Sequence, residues 1–150
     1  MFCNMYALYD ELSDGMKQVL APLTAMHSSE PLIERNSMPG SDTLPISGVP
    51  PPVGHPVVRT HPETGRKAIF VNPYFTSHFR GMTADESRPL LDYLHRRACR
   101  PENIYRHHWR DKDVLLWDNR CVMHYAVYDY DQTRPRLMHR TTAGGDRPRR

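Results

Sequence analysis

Trp117-Asp118-Asn119-Arg120-Cys121-Val122-Met123-His124-Tyr125-Ala126, followed after a loop by Arg136-Leu137-Met138-His139-Arg140-Thr141-Thr142, decides how this 150-residue chain is read. Both stretches have the look of short β-strands. Arg136 and Arg140 are four positions apart, and a strand repeats every two residues, so a strand there would turn both arginines to one face. His139 would face the other way. A neutral imidazole can ligate a metal ion, and a guanidinium offers a fork to a carboxylate. One histidine and a two-arginine face therefore suit a metal ion beside a dianionic organic acid. Spacing alone slightly favours the plainer reading, a basic strand on a solvated surface.

The motifs shift that balance. Trp-Asp-Asn-Arg, three residues, His-Tyr-Ala, a loop and Arg-x-Met-His-Arg-x-Thr resemble the C-terminal signature of the taurine and 2,4-dichlorophenoxyacetate dioxygenases. Those enzymes depend on iron(II) and 2-oxoglutarate. The resemblance continues upstream in His55-Pro56-Val57-Val58-Arg59-Thr60-His61-Pro62, Gly65-Arg66-Lys67, Phe70-Val71-Asn72, Phe75-Thr76 and Asn4-Met5-Tyr6. Only about residues 28 to 54 lack a clear counterpart.

The resemblance carries roles to single residues. It implies that His124 is the last ligand of a two-histidine, one-carboxylate triad holding iron(II). It implies that Arg136 pairs with the far carboxylate of 2-oxoglutarate. Arg140 resembles the arginine that reaches an acidic substrate group and lies near the cosubstrate. Phe75 resembles an aromatic of the substrate pocket, although an ordinary core aromatic is nearly as good a reading. The reaction implied is oxidative decarboxylation of 2-oxoglutarate by O2, coupled to hydroxylation of a C–H bond. The expected substrate is a small organic anion, first a sulfonate such as taurine, then a sulfate ester or aryloxyacid.

One departure stands out. The family takes its first two ligands from a His-x-Asp or His-x-Glu on an early strand upstream of Asn4-Met5-Tyr6. The only such triplet here is His61-Pro62-Glu63. Pro62 and Gly65 between two apolar runs mark it as a hairpin turn instead, and it is rejected as the ligand pair. The expectation is a single partial domain over residues 1–150, the C-terminal part of such an enzyme, inactive alone. The rival readings are a non-catalytic family fragment and a β-sandwich binding module without iron.

Composition agrees with a soluble enzyme part. Three scattered cysteines, Cys3, Cys99 and Cys121, suggest free thiols in a reducing, cytoplasmic setting. No apolar run suits a membrane span, and the formal charge of +3 is too small to argue for nucleic acid. A homo-oligomer is compatible with the sequence.

Along the chain, residues 5 to 25 read as helix, with Ser13 or Asp14 capping its second part. Residues 28 to 54, rich in Ser, Pro and Gly, read as an irregular loop or lid. Pro56 to Thr60 and Lys67 to Val71 read as a hairpin. Thr83-x-x-Glu86 is a capping box before Leu90, Leu91, Leu94 and Ala98. Pro89 suggests that this helix starts as late as Ser87. Strands are expected at 105–110, 114–117, 122–127 and 137–143, with a turn at Asp111-Lys112-Asp113. His95 with Cys99, and His107 with His108, make weak metal pairs and read as structural. The whole suggests a mainly β fold with flanking helices. The family implies a double-stranded β-helix, a cupin-like jelly roll incomplete at its N-terminus.

Overall fold

The computed structural model describes residues 1–36, 48–131 and 133–150. Among them are eight short strands in three sheets and four α-helices. The architecture is mainly β, with helices packed against the sheets.

Strand β1 (Phe2–Asn4) ends where Asn4 turns its side chain onto the next helix. Asn4 Oδ1 accepts from the amides of Tyr6 and Ala7 at 3.1 and 3.2 Å, so α1 (Met5–Asp10) starts there. Ser13 Oγ caps α2 (Asp14–Leu20) by accepting from Met16 N. The expected helix over 5–25 is therefore two helices, and its last residues belong to β2 (Thr24–His27). β2 is the middle strand of a sheet, flanked by antiparallel β3 (Val53–Pro56) and β6 (Thr76–Phe79). Neither β2 nor β6 is legible in the sequence, because pairing with strands distant in the chain, two for β2 and one for β6, imposes their extension.

The expected loop over 28–54 is also corrected. It opens with α3 (Glu30–Asn36) and closes with β3, while residues 37–47 of the lid reading lie outside the described residues.

The hairpin holds. β4 (Val58–Thr60) pairs with β5 (Lys67–Ile69) in the register Val58↔Ile69, Arg59↔Ala68, Thr60↔Lys67. Gly65 in its turn has φ +68°, a left-handed conformation that side chains disfavour.

The capping box is complete. Thr83 Oγ1 accepts from Glu86 N, and Glu86 Oε2 accepts from Thr83 N at 2.7 Å. It anchors α4 (Ala84–Ala98) three residues earlier than Ser87, and Pro89 lies inside the helix. Buried Ser87 adds a second anchor by accepting from Phe79 N and donating to Thr83 O, which joins α4 to β6. Leu91, Leu94 and Ala98 meet Leu8, Phe79 and Ile69 in one core, and that core takes no buried hydrophobic residue from beyond Ala98.

Beyond Ala98 the expected strands mostly fail to form. A 3-10 turn (Pro101–Asn103) leads into β7 (Ile104–Tyr105), and β8 is Val122–His124. Both pair with β1, giving the order β7-β1-β8. Residues 106–110, 114–117 and 137–143 are not strands. Extended segments need hydrogen-bonding neighbours, and the described residues give these no strand partner. The turn at Asp111-Lys112-Asp113 is present, with Lys112 at φ 70° and Asp113 N donating to Arg110 O.

Candidate functional site

The Trp-Asp-Asn-Arg motif folds into the turn that launches β8. Asp118 Oδ1 accepts from the amide of Arg120 at 2.7 Å, and its carbonyl accepts from the amides of Cys121 and Val122. Arg120 returns its guanidinium to the same carboxylate, 2.7 Å from Oδ2, and reaches Glu63 Oε1 at 2.8 Å. These bonds, with His61, hold the Asp118 carboxyl well below the usual carboxylate range, and the same contacts raise Arg120.

Opposite this turn, His61 Nε2 lies 3.0 Å from Asp118 Oδ2. His61 Nδ1 accepts from the backbone amides of Glu63 and Thr64, which puts the ring proton on Nε2. His61, Asp118 and Cys121 have ligand atoms within 4.8 Å of one another, close enough to suggest a metal site. The hydrogen bonding argues otherwise. The imidazole nitrogens are both committed, the carboxylate is shared with Arg120, and burial and Asp118 raise the Cys121 thiol away from thiolate. The cluster is a clasp between the β4–β5 turn and the entry to β8. Sequence reasoning quoted both motifs but missed the pairing, because 57 positions separate the partners.

β8 places His124 opposite Phe2, with ring centroids 6.3 Å apart, and Trp117 completes the cluster at 5.2 Å from His124 and 5.3 Å from Phe2. Partial burial, then the charges of Arg140 and the N-terminal ammonium, lower the His124 pKa. The imidazole is therefore held neutral with a lone pair to offer, as a metal ligand requires. Arg140 thus lies near enough to His124 to act on its charge. Arg136 sits elsewhere along the same segment, its guanidinium 4.8 Å from the Tyr130 ring centre. The strand that would align the two arginines is absent, so their shared face is not formed in this chain, nor is the opposite face expected for His139. Among the described residues, neither arginine makes an ion pair.

Phe75 has surroundings of its own. It lines a cavity of about 290 Å³ with His27, Ser28, Pro50, Val53 and His55. His124 and the two arginines do not line that cavity. His27 stacks on Phe70 at 5.5 Å and meets His55 edge-on at 5.0 Å. Burial and His55 push the His27 pKa down to about 4, and burial with Arg59 and Arg147 lowers His55. Arg59, itself buried, stands 5.1 Å over the Phe70 ring. This histidine cluster was not anticipated as a unit.

The weak metal pairs have structural surroundings. Cys99 is exposed and caps α4 by donating its amide to His95 O. His107 lies 3.1 Å from Asp113 Oδ2 in an irregular segment. Among the described residues no helix is long and apolar enough to cross a membrane.

Comparison with known proteins agrees with the motifs. Residues 1–142 match the family model described as "Taurine catabolism dioxygenase TauD, TfdA family". An alpha-ketoglutarate-dependent 2,4-dichlorophenoxyacetate dioxygenase of Burkholderia sp. (strain RASC) is 37% identical over 150 residues, covering 99% of this chain and 49% of that protein. An alpha-ketoglutarate-dependent sulfate ester dioxygenase of Pseudomonas putida is 34% identical over 155 residues, covering 99% and 50%. Among solved structures, AAD-2 in complex with Mn(II) and N-oxalylglycine superposes with a TM-score of 0.68 at 33% identity. That superposition covers 89% of this chain and 52% of the other. A taurine dioxygenase from Burkholderia xenovorans gives a TM-score of 0.65 at 31% identity, covering 81% and 37%. The chain spans about half the length of the curated relatives it matches. With His124, Arg136 and Arg140 all inside the matched residues, the chain belongs to the TauD and TfdA family of dioxygenases.

Proposed function

We propose that this chain supplies the His124, Arg136 and Arg140 side of an Fe(II)- and 2-oxoglutarate-dependent dioxygenase site acting on a small organic anion. In this reading residues 1–150 are one partial domain, and the three sheets are part of a double-stranded β-helix. The carrying observation is His124 itself, set on β8 against the rings of Phe2 and Trp117 and inside the residues that match the family model. It fits iron(II) as one ligand of three, and the two others would come from a His-x-Asp or His-x-Glu segment outside this sequence.

Arg136 and Arg140, unpaired among the described residues, remain available to carboxylate and sulfonate groups. Arg136 would hold the far carboxylate of 2-oxoglutarate through a two-pronged hydrogen bond. Arg140 would orient the substrate's anionic head, and Phe75 would cover its apolar body once the site is complete. Bound iron would activate O2 with 2-oxoglutarate as the co-reductant, while the protein supplies positioning and shielding. A sulfonate such as taurine leads the substrate ranking, followed by alkyl sulfates and aryloxyalkanoates. The free thiols suit a cytoplasmic setting.

Iron titration tests the reading. The 150-residue chain should bind iron(II) weakly. A protein joining it to an upstream His-x-Asp segment should bind tightly, lose that binding in His124→Ala, and form succinate with anionic substrates. Tight stoichiometric binding by the short chain that survives His124→Ala would overturn it.

A further inference from the structure

A cavity of about 260 Å³ lies between α4 and β6, the strand at one edge of the sheet β3-β2-β6. The helix supplies Arg88, Leu91, Asp92 and His95, which recur at helical spacing and so share one face. Ser77 of β6 and Pro73 of the loop before it line the cavity from the sheet side. Ser87 Oγ accepts from Phe79 N at 3.0 Å, which ties helix to strand and fixes the spacing of the two walls. None of His124, Arg136, Arg140 and Phe75 lines this cavity, so what it binds goes beyond the catalytic reading.

Three side chains in it lack protein partners. His95 Nε2 is enclosed and makes no hydrogen bond among the described residues. Enclosed polar atoms are nearly always bonded, so a bare nitrogen on a cavity-lining ring calls for a ligand group. Arg88 and Asp92 stand four apart on α4, a spacing at which opposite charges meet, although base before acid is the weaker order. They make no ion pair with each other or with any other described residue. Both are exposed, while Leu91 beside them is buried and gives the cavity an apolar wall.

The charges select the ligand. A simple anion on Arg88 would be repelled by Asp92, and a simple cation on Asp92 would be repelled by Arg88. A molecule carrying both charges close together satisfies each. The volume is below that of sites for drug-sized ligands, so the molecule is small. Burial lowers the His95 pKa against the opposing charge of Asp92, and the neutral ring has one donor and one acceptor.

We infer that the cavity between α4 and β6 binds a small zwitterionic amino acid, its carboxylate on Arg88, its ammonium on Asp92 and a short apolar side chain against Leu91 and Pro73. The Arg88 guanidinium suits a carboxylate because its N–H groups form a planar fork. His95 Nε2 takes a further bond, from the ammonium or to the carboxylate.

L-valine is the probe. Its comparators are 3-methylbutanoate, which lacks the ammonium, and 2-methylpropylamine, which lacks the carboxylate. Each is titrated at neutral pH into the nitrogen-15-labelled 150-residue chain, with the His95 ring nitrogens and Arg88 Nε followed by NMR. L-valine should shift both residues saturably and bind at least about fivefold tighter than either comparator. Arg88→Gln and Asp92→Asn should each weaken L-valine by about fivefold and keep the urea midpoint of the parent, because both side chains are exposed. Glu102→Gln, outside the cavity, should leave binding unchanged. Absence of a saturable shift at His95 and Arg88 would overturn the inference. So would equal or tighter binding of either comparator, or L-valine binding undiminished in both charge variants. Iron takes no part in the measurement, so failure here leaves the reading of His124 untouched.

Discussion

His61 donates from Nε2 to Asp118 Oδ2 across 3.0 Å, joining the β4–β5 turn to the turn that begins β8. The bond ties the strand that presents His124 to the hairpin of the core. Asp118→Asn keeps the shape but removes the charge that Arg120 and His61 both use. It should lower stability by about 1–3 kcal/mol in urea unfolding. The native carboxyl lies below the ordinary value of 3.8, with Arg120 the larger cause and His61 the lesser. Its contribution is therefore complete above that value and disappears as pH falls through and below it. Between about pH 4 and about pH 2, Asp118→Asn should lose less stability than the parent. Parallel acid curves would remove Asp118 from this role.

His27 is the second pH-sensitive group. Burial and the neighbouring His55 hold it neutral down to about pH 4, against an ordinary value of 6.5. The stability that depends on neutral His27 is complete above 6.5 and drains away as pH falls toward 4. NMR titration should show its ring proton shift flat above about pH 5, and His27→Gln should flatten the stability curve between these limits. An ordinary titration near 6.5 would contradict the packing of His27 against Phe70.

The three cysteines should react in a fixed order. Cys99 is exposed, Cys121 is half-buried, and Cys3 is buried with its thiol pushed up to about 12. Cys3 also donates to the carbonyl of Ala98 at 3.1 Å. A thiol-reactive disulfide reagent at neutral pH should label Cys99 first, then Cys121, and Cys3 only on unfolding. Fast labelling of Cys3 in the native protein would show that the β1–α4 packing opens readily.

Arg136→Ala, in a protein completed with its upstream ligand segment, should raise the 2-oxoglutarate requirement sharply. Losing a buried carboxylate's guanidinium partner costs roughly 2–5 kcal/mol. Iron affinity should stay nearly unchanged, and Arg136→Lys should recover only part of the loss, because a point charge does not replace the fork. Initial rates against 2-oxoglutarate concentration check this, and an unaltered KM would exclude Arg136 from the cosubstrate site.

Local chemistry alone determined several features of this protein. The Thr83–Glu86 capping box, the Ser13 cap, the Gly65 turn and the Asp111–Asp113 turn are each written in a few adjacent residues and formed as expected. The order of motifs from Asn4 to Thr142 was enough to identify the family. Tertiary structure decided what depends on partners distant in the chain. β2 and β6 are strands because each lies against a neighbour, while Val114–Trp117 and 137–143 have strand-like sequences and are not strands because, among the described residues, no strand pairs with them. The His61–Asp118 clasp and the lining of the Phe75 cavity by His27, Val53 and His55 are likewise invisible to spacing. A cap satisfies its hydrogen bonds within one turn of chain, but a strand must find its partners elsewhere in the fold.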